Sequence, residues 1–177
     1  VKSAGQPVNG APRLRIGSKP VDGGYLIVTP EEKARLSTSD KGVQPFLREF
    51  IGAKEFLNGG HRYILWLKGQ EAKASKISFV QDRLRRVRKW RDGEIASKDS
   101  KTGLDRASPS TKPLAANPSS YHVTVVPEGP FLVIPENGSD NREYVPAGWL
   151  QNGEIPSSLI RVSEHADLYH FGVIVSR

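Results

Sequence analysis

Residues 75–91, SKISFVQDRLRRVRKWR, form the most strongly periodic stretch of this 177-residue chain. The apolar residues Ile77, Val80, Leu84, Val87 and Trp90 follow one another at intervals of three or four. That spacing places them on one face of an α-helix, which turns once in about 3.6 residues. The stretch therefore predicts an amphipathic helix whose apolar face packs against a core.

Cations occupy much of the same stretch, and we expect them on the opposite face: Arg83, Arg85, Arg86, Arg88, Lys89 and Arg91. A row of cations on the solvent side of a helix suits the phosphates of a nucleic acid. Arginine predominates over lysine, which favours bidentate contact with phosphate or with a guanine edge. The alternative is an ordinary solvated helix face, but only Asp82 and Asp92 flank the run. We interpret the helix as a nucleic-acid contact.

The segments on both sides predict a mixed α+β domain, with helices mostly early and short, mostly antiparallel strands mostly late. Thr29, Pro30 and Glu32 form a helix start with Thr29 as its cap, and a second helical piece is predicted over Val43–Phe50. The predicted strands are Tyr25–Val28, Arg62–Leu67, Tyr121–Val126, Phe131–Ile134, Glu143–Val145, Ser158–Val162 and Tyr169–Val175. Long loops, among them residues 97–120, separate these elements in the second half of the chain.

The charge balance points to a polyanionic partner. The chain has 26 lysines and arginines against 19 acidic residues, a net charge of +7. Nucleic acid is the usual partner of such a protein, and an anionic membrane surface is the rival. No apolar run approaches the roughly 18 residues that span a bilayer, and the first ten residues lack the apolar core of a signal peptide. We therefore expect a cytoplasmic protein associated with the nucleoid.

Little in the sequence suggests catalysis. The chain contains no cysteine, which excludes a disulfide scaffold, a thiolate zinc finger and a thiol nucleophile. Glu164, His165, Asp167 and His170 lie close together in sequence, but their spacing matches no helical pair of metal ligands. There is no phosphate-binding loop and no glycine fingerprint of a dinucleotide site. We predict no catalytic residue and no metal site.

Several segments resemble, in order along the chain, a known family. They are residues 17–26 (GSKPVDGGYL), 45–59 (PFLREFIGAKEFLNG), 62–67 (RYILWL), 87–88 (VR), 132–135 (LVIP), 142–150 (REYVPAGWL) and 168–173 (LYHFGV). Together they are similar to the target-recognition domain of MmeI-like DNA methyltransferases, the Type IIG-like restriction-modification enzymes. The resemblance covers most of residues 17–177, and residues 1–16 are interpreted as a flexible N-terminal segment.

The resemblance implies a parent enzyme that uses S-adenosylmethionine to methylate the exocyclic amine of adenine in duplex DNA, in some relatives with a fused nuclease. The present chain has neither the glycine motif for the cofactor nor a contiguous Asn-Pro-Pro-Tyr motif; Asn117-Pro118-Ser119-Ser120-Tyr121 departs from it. We therefore expect an excised fragment that recognises DNA without a cofactor of its own. The expected partners are double-stranded DNA and the catalytic methyltransferase domain of the same parent chain.

Two groups of side chains are predicted to contact DNA. Phosphate contacts set the register of the protein on the duplex, and base contacts set its specificity. The predicted phosphate contacts are Arg83, Arg85, Arg86, Arg88, Lys89 and Arg91, supported by Lys19 and Lys101. The predicted base contacts are Arg106, Asn141, Arg142 and Glu143, because arginine pairs with guanine, asparagine with adenine, and glutamate accepts from cytosine.

Plain turn chemistry is the alternative for residues 137–141. Two other functions stay open. One is an RNA-binding module, for which aromatic residues exposed on a sheet would be expected. The other is an enzyme domain that uses His122, His165 or His170 as a base.

Overall fold

A computed structural model describes residues 10–138 and 142–176. The chain divides into two compact units. One comprises Val1–Ser18, Phe50–Gly60 and Val125–Arg177, and the other comprises Lys19–Glu49 and His61–Thr124. Their charges differ sharply. The second unit holds 19 basic and 11 acidic residues, a net charge of +8, and is called here the basic unit. The first holds seven basic and eight acidic residues, a net charge of −1, and is called the near-neutral unit.

Short strands and α-helices follow one another along the described residues. The strands are β1 (Arg15–Ile16), β2 (Ile27–Val28), β3 (Leu47–Ile51), β4 (Tyr63–Leu65), β5 (Phe131–Pro135), β6 (Gly148–Leu150), β7 (Ile155–Pro156) and β8 (Ile160–Ser163). The α-helices are α1 (Pro30–Ser39), α2 (Ala53–Asn58), α3 (Glu71–Ala74), α4 (Ser78–Arg91) and α5 (Leu168–Val175), and 3-10 helices cover Lys41–Phe46 and Pro109–Ala116. The α+β class predicted from the sequence is confirmed.

The basic unit is built around strand β4. β4 pairs antiparallel with β2, where Ile27 faces Ile64, and with the first three residues of β3, where Leu47 faces Leu65. Ile64 and Leu65 are fully buried. Val80 and Val87 of α4 are fully buried as well, so the apolar face of this helix is in the core as its spacing predicts. The polar part of α4 is thereby turned towards solvent.

The near-neutral unit is built on an antiparallel sheet with the strand order β1-β8-β5-β6. β5 is its most buried strand, because Phe131, Leu132 and Val133 are all without exposure. The last two residues of β3 also lie in this unit, where they pair in parallel with β7. Gly17 packs against this region so closely that a methyl group there would lie 2.2 Å from the carbonyl oxygen of Ser157.

The prediction of a second helix over Val43–Phe50 is wrong. The chain forms a 3-10 helix only as far as Phe46, and Leu47 begins strand β3. Pro45 lies inside the 3-10 segment, and a proline has no N–H to continue an α-helical hydrogen-bond ladder. Gly52, which follows β3, is the N-cap residue of α2.

The predicted strand over Tyr169–Val175 is also wrong, because Leu168–Val175 is the helix α5. The side chain of Asp167 accepts a hydrogen bond from the backbone N–H of His170 at 3.0 Å and so caps the first turn. Tyr121–Val126 forms a single bridge, between Val123 and Lys19, and Glu143–Val145 lies outside every strand of the described residues. Beyond that bridge, neither segment forms a ladder within the described residues.

Candidate nucleic-acid interface

Four cations of α4 are exposed: Arg85, Arg86, Arg88 and Lys89. Arg85 and Arg86 both form ion pairs with Asp82, one turn earlier, and Arg86 Nε lies 2.7 Å from Asp82 Oδ2. Burial acts to raise the pKa of Asp82, but the hydrogen bonds from Arg86 and Arg85 outweigh it and lower that pKa. Asp82 is therefore ionised at neutral pH and partly neutralises two of the four cations.

The other two exposed cations of α4 stay available. Within the described part of the chain, Arg88 and Lys89 form no ion pair. They lie in the last turn of the helix, where cations also interact favourably with the negative end of the helix dipole. A phosphate could therefore approach them without first breaking an internal ion pair.

Arg91 has a different environment, because its side chain is fully buried. Its Nε donates to the carbonyl oxygen of Val21 at 2.8 Å. Its two Nη atoms donate to four more carbonyl oxygens at 2.8–2.9 Å, those of Leu114, Asn117, Pro20 and Ser120. Burial lowers the pKa of Arg91, and the charge of nearby Asp22 acts in the opposite direction. Arg91 connects α4 to two loops of the basic unit.

Arg83 is buried too, with 7 % of its surface exposed. It forms an ion pair with Glu32 of α1 and donates to the carbonyl oxygen of Tyr25 at 3.2 Å. Lys98 completes this group, since its Nζ lies 3.2 Å from the second carboxylate oxygen of Glu32. Burial leaves Arg83 little surface and Arg91 none with which to reach a phosphate, so we assign both to the interior of the basic unit rather than to a DNA-facing row.

Lys19, Lys101 and Arg106 are exposed in loops of the basic unit. The backbone N–H of Lys19 donates to the carbonyl oxygen of Val123 at 2.9 Å, which fixes the start of the loop that contains Gly23 and Gly24. Arg106 Nη1 donates to the carbonyl oxygens of Gly93 and Glu94 at 3.1 and 2.7 Å. Arg106 thus already uses part of its donor set to hold its own loop against the C-terminal end of α4.

The remaining predicted base contacts lie elsewhere in the chain. Arg142 and Glu143 are exposed in the segment between β5 and β6, in the near-neutral unit, and Glu143 has a partner in the structure. Asn141 lies outside the described residues. The predicted base contacts are therefore divided between Arg106 in one unit and Arg142 and Glu143 in the other.

Gly23 and Trp90 form a contact that the sequence analysis did not identify. Gly23 has a φ of +63°, and a methyl group there would lie 2.6 Å from the Trp90 ring. Trp90 Nε1 donates to Ser97 Oγ at 3.0 Å, and the N–H of Lys98 donates to the carbonyl oxygen of Gly23 at 2.8 Å. Two consecutive glycines before an apolar strand were the only signal of this close approach. The contact positions both loops beside the end of α4.

The histidines do not come together as a metal site. Over residues 10–138 and 142–176, no group of three or more histidine, cysteine, aspartate or glutamate side chains could hold a metal ion. His170 instead contacts the carboxylate of Asp167, 2.6 Å from its Nδ1, and the hydrogen bonds from its backbone N–H and from its ring lower the pKa of Asp167. His122 and His165 are exposed.

The part of the chain that is described has no helix long and apolar enough to cross a membrane.

An α+β protein with its positive charge concentrated in one unit is thus defined, and four of its exposed cations lie on the single helix α4. Comparison with known proteins makes the class specific. The sequence model of the "MmeI, target recognition domain" family matches residues 1–177, and the chain belongs to this family.

Two relatives extend the comparison. DNA methyltransferase A of Bacillus subtilis (strain 168) is 33 % identical over 180 residues, which cover 100 % of this chain and 19 % of that protein. The Type IIL restriction-modification enzyme MmeI, whose structure was solved in complex with DNA, matches with a TM-score of 0.85 and 28 % identity. That match covers 98 % of this chain and 22 % of the other. The chain thus spans about a fifth of the length of each relative.

Proposed function

We propose that this protein binds double-stranded DNA in a sequence-specific manner, as the target recognition domain of an adenine DNA methyltransferase of the restriction-modification type. The observation that carries the proposal is the charge distribution. The basic unit has a net charge of +8, and four cations of α4 are exposed on its surface. Family membership and the DNA in the solved complex of MmeI support the choice of duplex DNA as the polyanion.

The proposed phosphate contacts are six exposed cations of the basic unit, four on α4 and two in its loops: Arg85, Arg86, Arg88, Lys89, Lys19 and Lys101. Contacts of this kind hold the protein in register but carry no sequence information. Reading of bases is assigned to Arg106, Asn141, Arg142 and Glu143, whose donors and acceptors match those of base edges. Each well-formed pair of this kind contributes about 1–3 kcal/mol of discrimination.

Catalysis is proposed to take place in another domain of a larger chain. A methyltransferase of this type takes its methyl group from S-adenosylmethionine, which we expect to bind in that other domain. An enzyme that modifies a base in duplex DNA must turn the base out of the stack, so it needs a second surface that holds the surrounding duplex. The present protein would supply that surface, and its partner would be the catalytic domain. With DNA as its ligand, we expect it to act on the chromosome in the cytoplasm.

The test measures binding to a labelled duplex by fluorescence anisotropy across a series of salt concentrations. We compare the wild type with a double variant, Arg88→Ala and Lys89→Ala, and with the control Lys54→Ala. Lys54 is also exposed but belongs to the near-neutral unit. The double variant should bind more weakly and lose about 0.9 of salt slope for each phosphate contact removed. The control should resemble the wild type.

Competitors identify the nucleic acid. Unlabelled duplex should displace the probe more effectively than single-stranded DNA or RNA. A double variant with unchanged affinity and salt slope would contradict the proposed interface. Preference for single strands would contradict duplex DNA as the ligand and favour an RNA-binding module instead.

A further inference from the structure

Leu104 is an unusual residue for the surface on which it lies. Its side chain is 75 % exposed, and among the described residues of the basic unit it is the only exposed large apolar side chain. The other exposed large apolar residues all belong to the near-neutral unit. Leu104 therefore projects from the unit that carries the positive charge, where an apolar side chain has no evident partner within the protein.

The loop that carries it, residues 97–106, is called here the leucine loop. Its two ends are joined, because the N–H and the hydroxyl of Ser97 both donate to the carbonyl oxygen of Asp105, at 2.8 and 3.1 Å. Trp90 of α4 donates to the same hydroxyl, and Arg106 donates to the carbonyl oxygens of Gly93 and Glu94. The base of the leucine loop is thus fixed to the end of the basic helix.

The tip of the leucine loop is shaped by Gly103, whose φ is +69°. No atom lies within 4 Å of a methyl group placed there, so the glycine is needed for its conformation and not for space. Thr102 Oγ1 accepts a hydrogen bond from the N–H of Leu104 at 3.3 Å. Lys101 is exposed on one side of the tip, and Asp99 and Asp105 are the acidic residues of the loop. The leucine is presented on a closed loop rather than on a free chain.

Duplex DNA offers an apolar side chain only one large apolar surface, the stacked faces of its bases. Proteins that use this surface insert a residue such as leucine between two base pairs, which unstacks them and bends the duplex. We propose that Leu104 is a wedge of this kind, which enters a base step while α4 and the adjoining loops hold the phosphates. This proposal rests on the duplex binding proposed above.

The test uses the free-energy cost of unstacking two neighbouring base pairs. A bulge in the duplex removes that cost in advance, so a wedge protein should bind bulged DNA more tightly than intact DNA. The affinities of the wild type and three variants are measured for a short intact duplex and for the same duplex with a central bulge. We expect the wild type to prefer the bulged duplex by about five-fold or more.

The variants separate the wedge from the phosphate contacts. Leu104→Ala should bind both duplexes equally, and Leu104→Phe, which keeps an apolar side chain, should keep the preference. Arg88→Ala should weaken binding to both duplexes by the same factor and so leave the preference intact. Because Leu104 is exposed, its replacement should leave the urea unfolding midpoint unchanged, which confirms that the variants are folded.

Two results would overturn the wedge while duplex binding stands. One is a wild type without preference for the bulge, and the other is Leu104→Ala with the preference unaltered. Absence of binding to either duplex at low salt would instead reject the proposed function, and the wedge with it.

Discussion

Arg91 illustrates how a single side chain can organise a unit. An arginine has five N–H donors in a fixed planar arrangement, and in this structure each donor has a backbone carbonyl acceptor. The acceptors lie in two segments, residues 20–21 and residues 114–120, and the second segment starts at the end of the 3-10 helix Pro109–Ala116. No other side chain could satisfy all five, because lysine has three donors and the apolar residues have none. The position therefore requires arginine for structural reasons.

We predict that Arg91→Met strongly destabilises the protein. The substitution keeps much of the side-chain volume but leaves five carbonyl groups without their donor. Losing these hydrogen bonds should lower the free energy of unfolding by at least about 3 kcal/mol. Urea unfolding followed by tryptophan fluorescence measures the change. The control is Arg88→Met, the same substitution at an exposed position of the same helix, which should stay within about 0.5 kcal/mol of the wild type. Equal stabilities of the two variants would refute the structural role of Arg91.

A second prediction at this scale concerns Gly23. Gly23 and Gly93 both have positive φ values, +63° and +80°, but an added methyl group would meet a neighbour only at Gly23, where it would reach the ring of Trp90. Gly93→Ala should cost about 1–2 kcal/mol, the penalty of a left-handed residue with a Cβ. Gly23→Ala should cost clearly more, because its methyl group would overlap the Trp90 ring. Thermal unfolding of the two variants gives the comparison, and a larger loss for Gly93→Ala would contradict the close packing.

The helical position of Arg83 and Arg91 was the signal that could have separated them from the other cations. Arg83 follows Val80 by three residues, and Arg91 follows Val87 by four, so both lie on the buried face. The charges alone predicted that all six cations of the helix face solvent. The exposure of Arg85, Arg86, Arg88 and Lys89 agrees with the helical period. The acceptors of Arg91 were not predictable, because they come from loops brought together only by the fold.

At the scale of elements, α4 contains an acidic residue that competes with phosphate for two of its arginines. Asp82 pairs with Arg85 and Arg86 at the helical spacings of three and four. Such pairs between exposed groups stabilise a helix by no more than about 0.5 kcal/mol each. A phosphate that contacts either arginine must compete with the carboxylate.

Asp82→Asn should therefore raise the affinity for duplex DNA several-fold and steepen its salt dependence. The control Asp92→Asn removes the same charge at the end of α4 without releasing a paired arginine, so it should raise the affinity less. Fluorescence anisotropy at several salt concentrations measures both. Equal gains would show that total charge, and not the release of Arg85 and Arg86, determines the affinity.

The pH dependence of this contact follows from the lowered pKa of Asp82. An acid with a lowered pKa in the folded state stabilises that state fully above its ordinary pKa, and loses this contribution as the pH falls through the lowered value. The difference in DNA affinity between wild type and Asp82→Asn should thus persist over the neutral range and narrow only in acid. A difference that narrowed near neutral pH would argue against an ionised Asp82.

Elements with a clear hydrophobic period or a local cap could be predicted from the sequence. Elements that form by pairing with a distant strand could not. The period of α4 and the capping of α1 by Thr29 are local, and both are confirmed. β5 is confirmed as well. The sequence of α5 predicted a strand because its β-branched and aromatic residues favour strands. The segment is a helix instead, and Asp167 caps its first turn. β3 follows a proline-containing turn and is stabilised by pairing with β4, which no local pattern reveals.

At the scale of the whole molecule, charge and exposed apolar surface are distributed oppositely. The basic unit carries the net charge, whereas the near-neutral unit carries most of the exposed large apolar residues. Three of them, Leu168, Tyr169 and Val173, lie on α5, none of whose residues is fully buried. Tyr169 and Val173 also line a cavity of about 400 Å³ with Leu14. A near-neutral, apolar surface suits contact with protein better than contact with phosphate.

The last prediction tests whether DNA binding belongs to the basic unit and the exposed apolar surface of α5 serves another contact. A triple variant, Leu168→Ser, Tyr169→Ser and Val173→Ser, should bind markedly less of the apolar dye ANS than the wild type, because it removes the exposed apolar patch of α5. Its affinity for duplex DNA should stay within about two-fold of the wild type, since surface changes outside a contact have small effects. The double variant Arg88→Ala and Lys89→Ala should give the opposite pattern, with ANS binding unchanged and DNA affinity reduced. If the triple variant lost DNA affinity to the same extent, the apolar surface of α5 would be part of the DNA contact, and the assignment of DNA binding to the basic unit alone would fail.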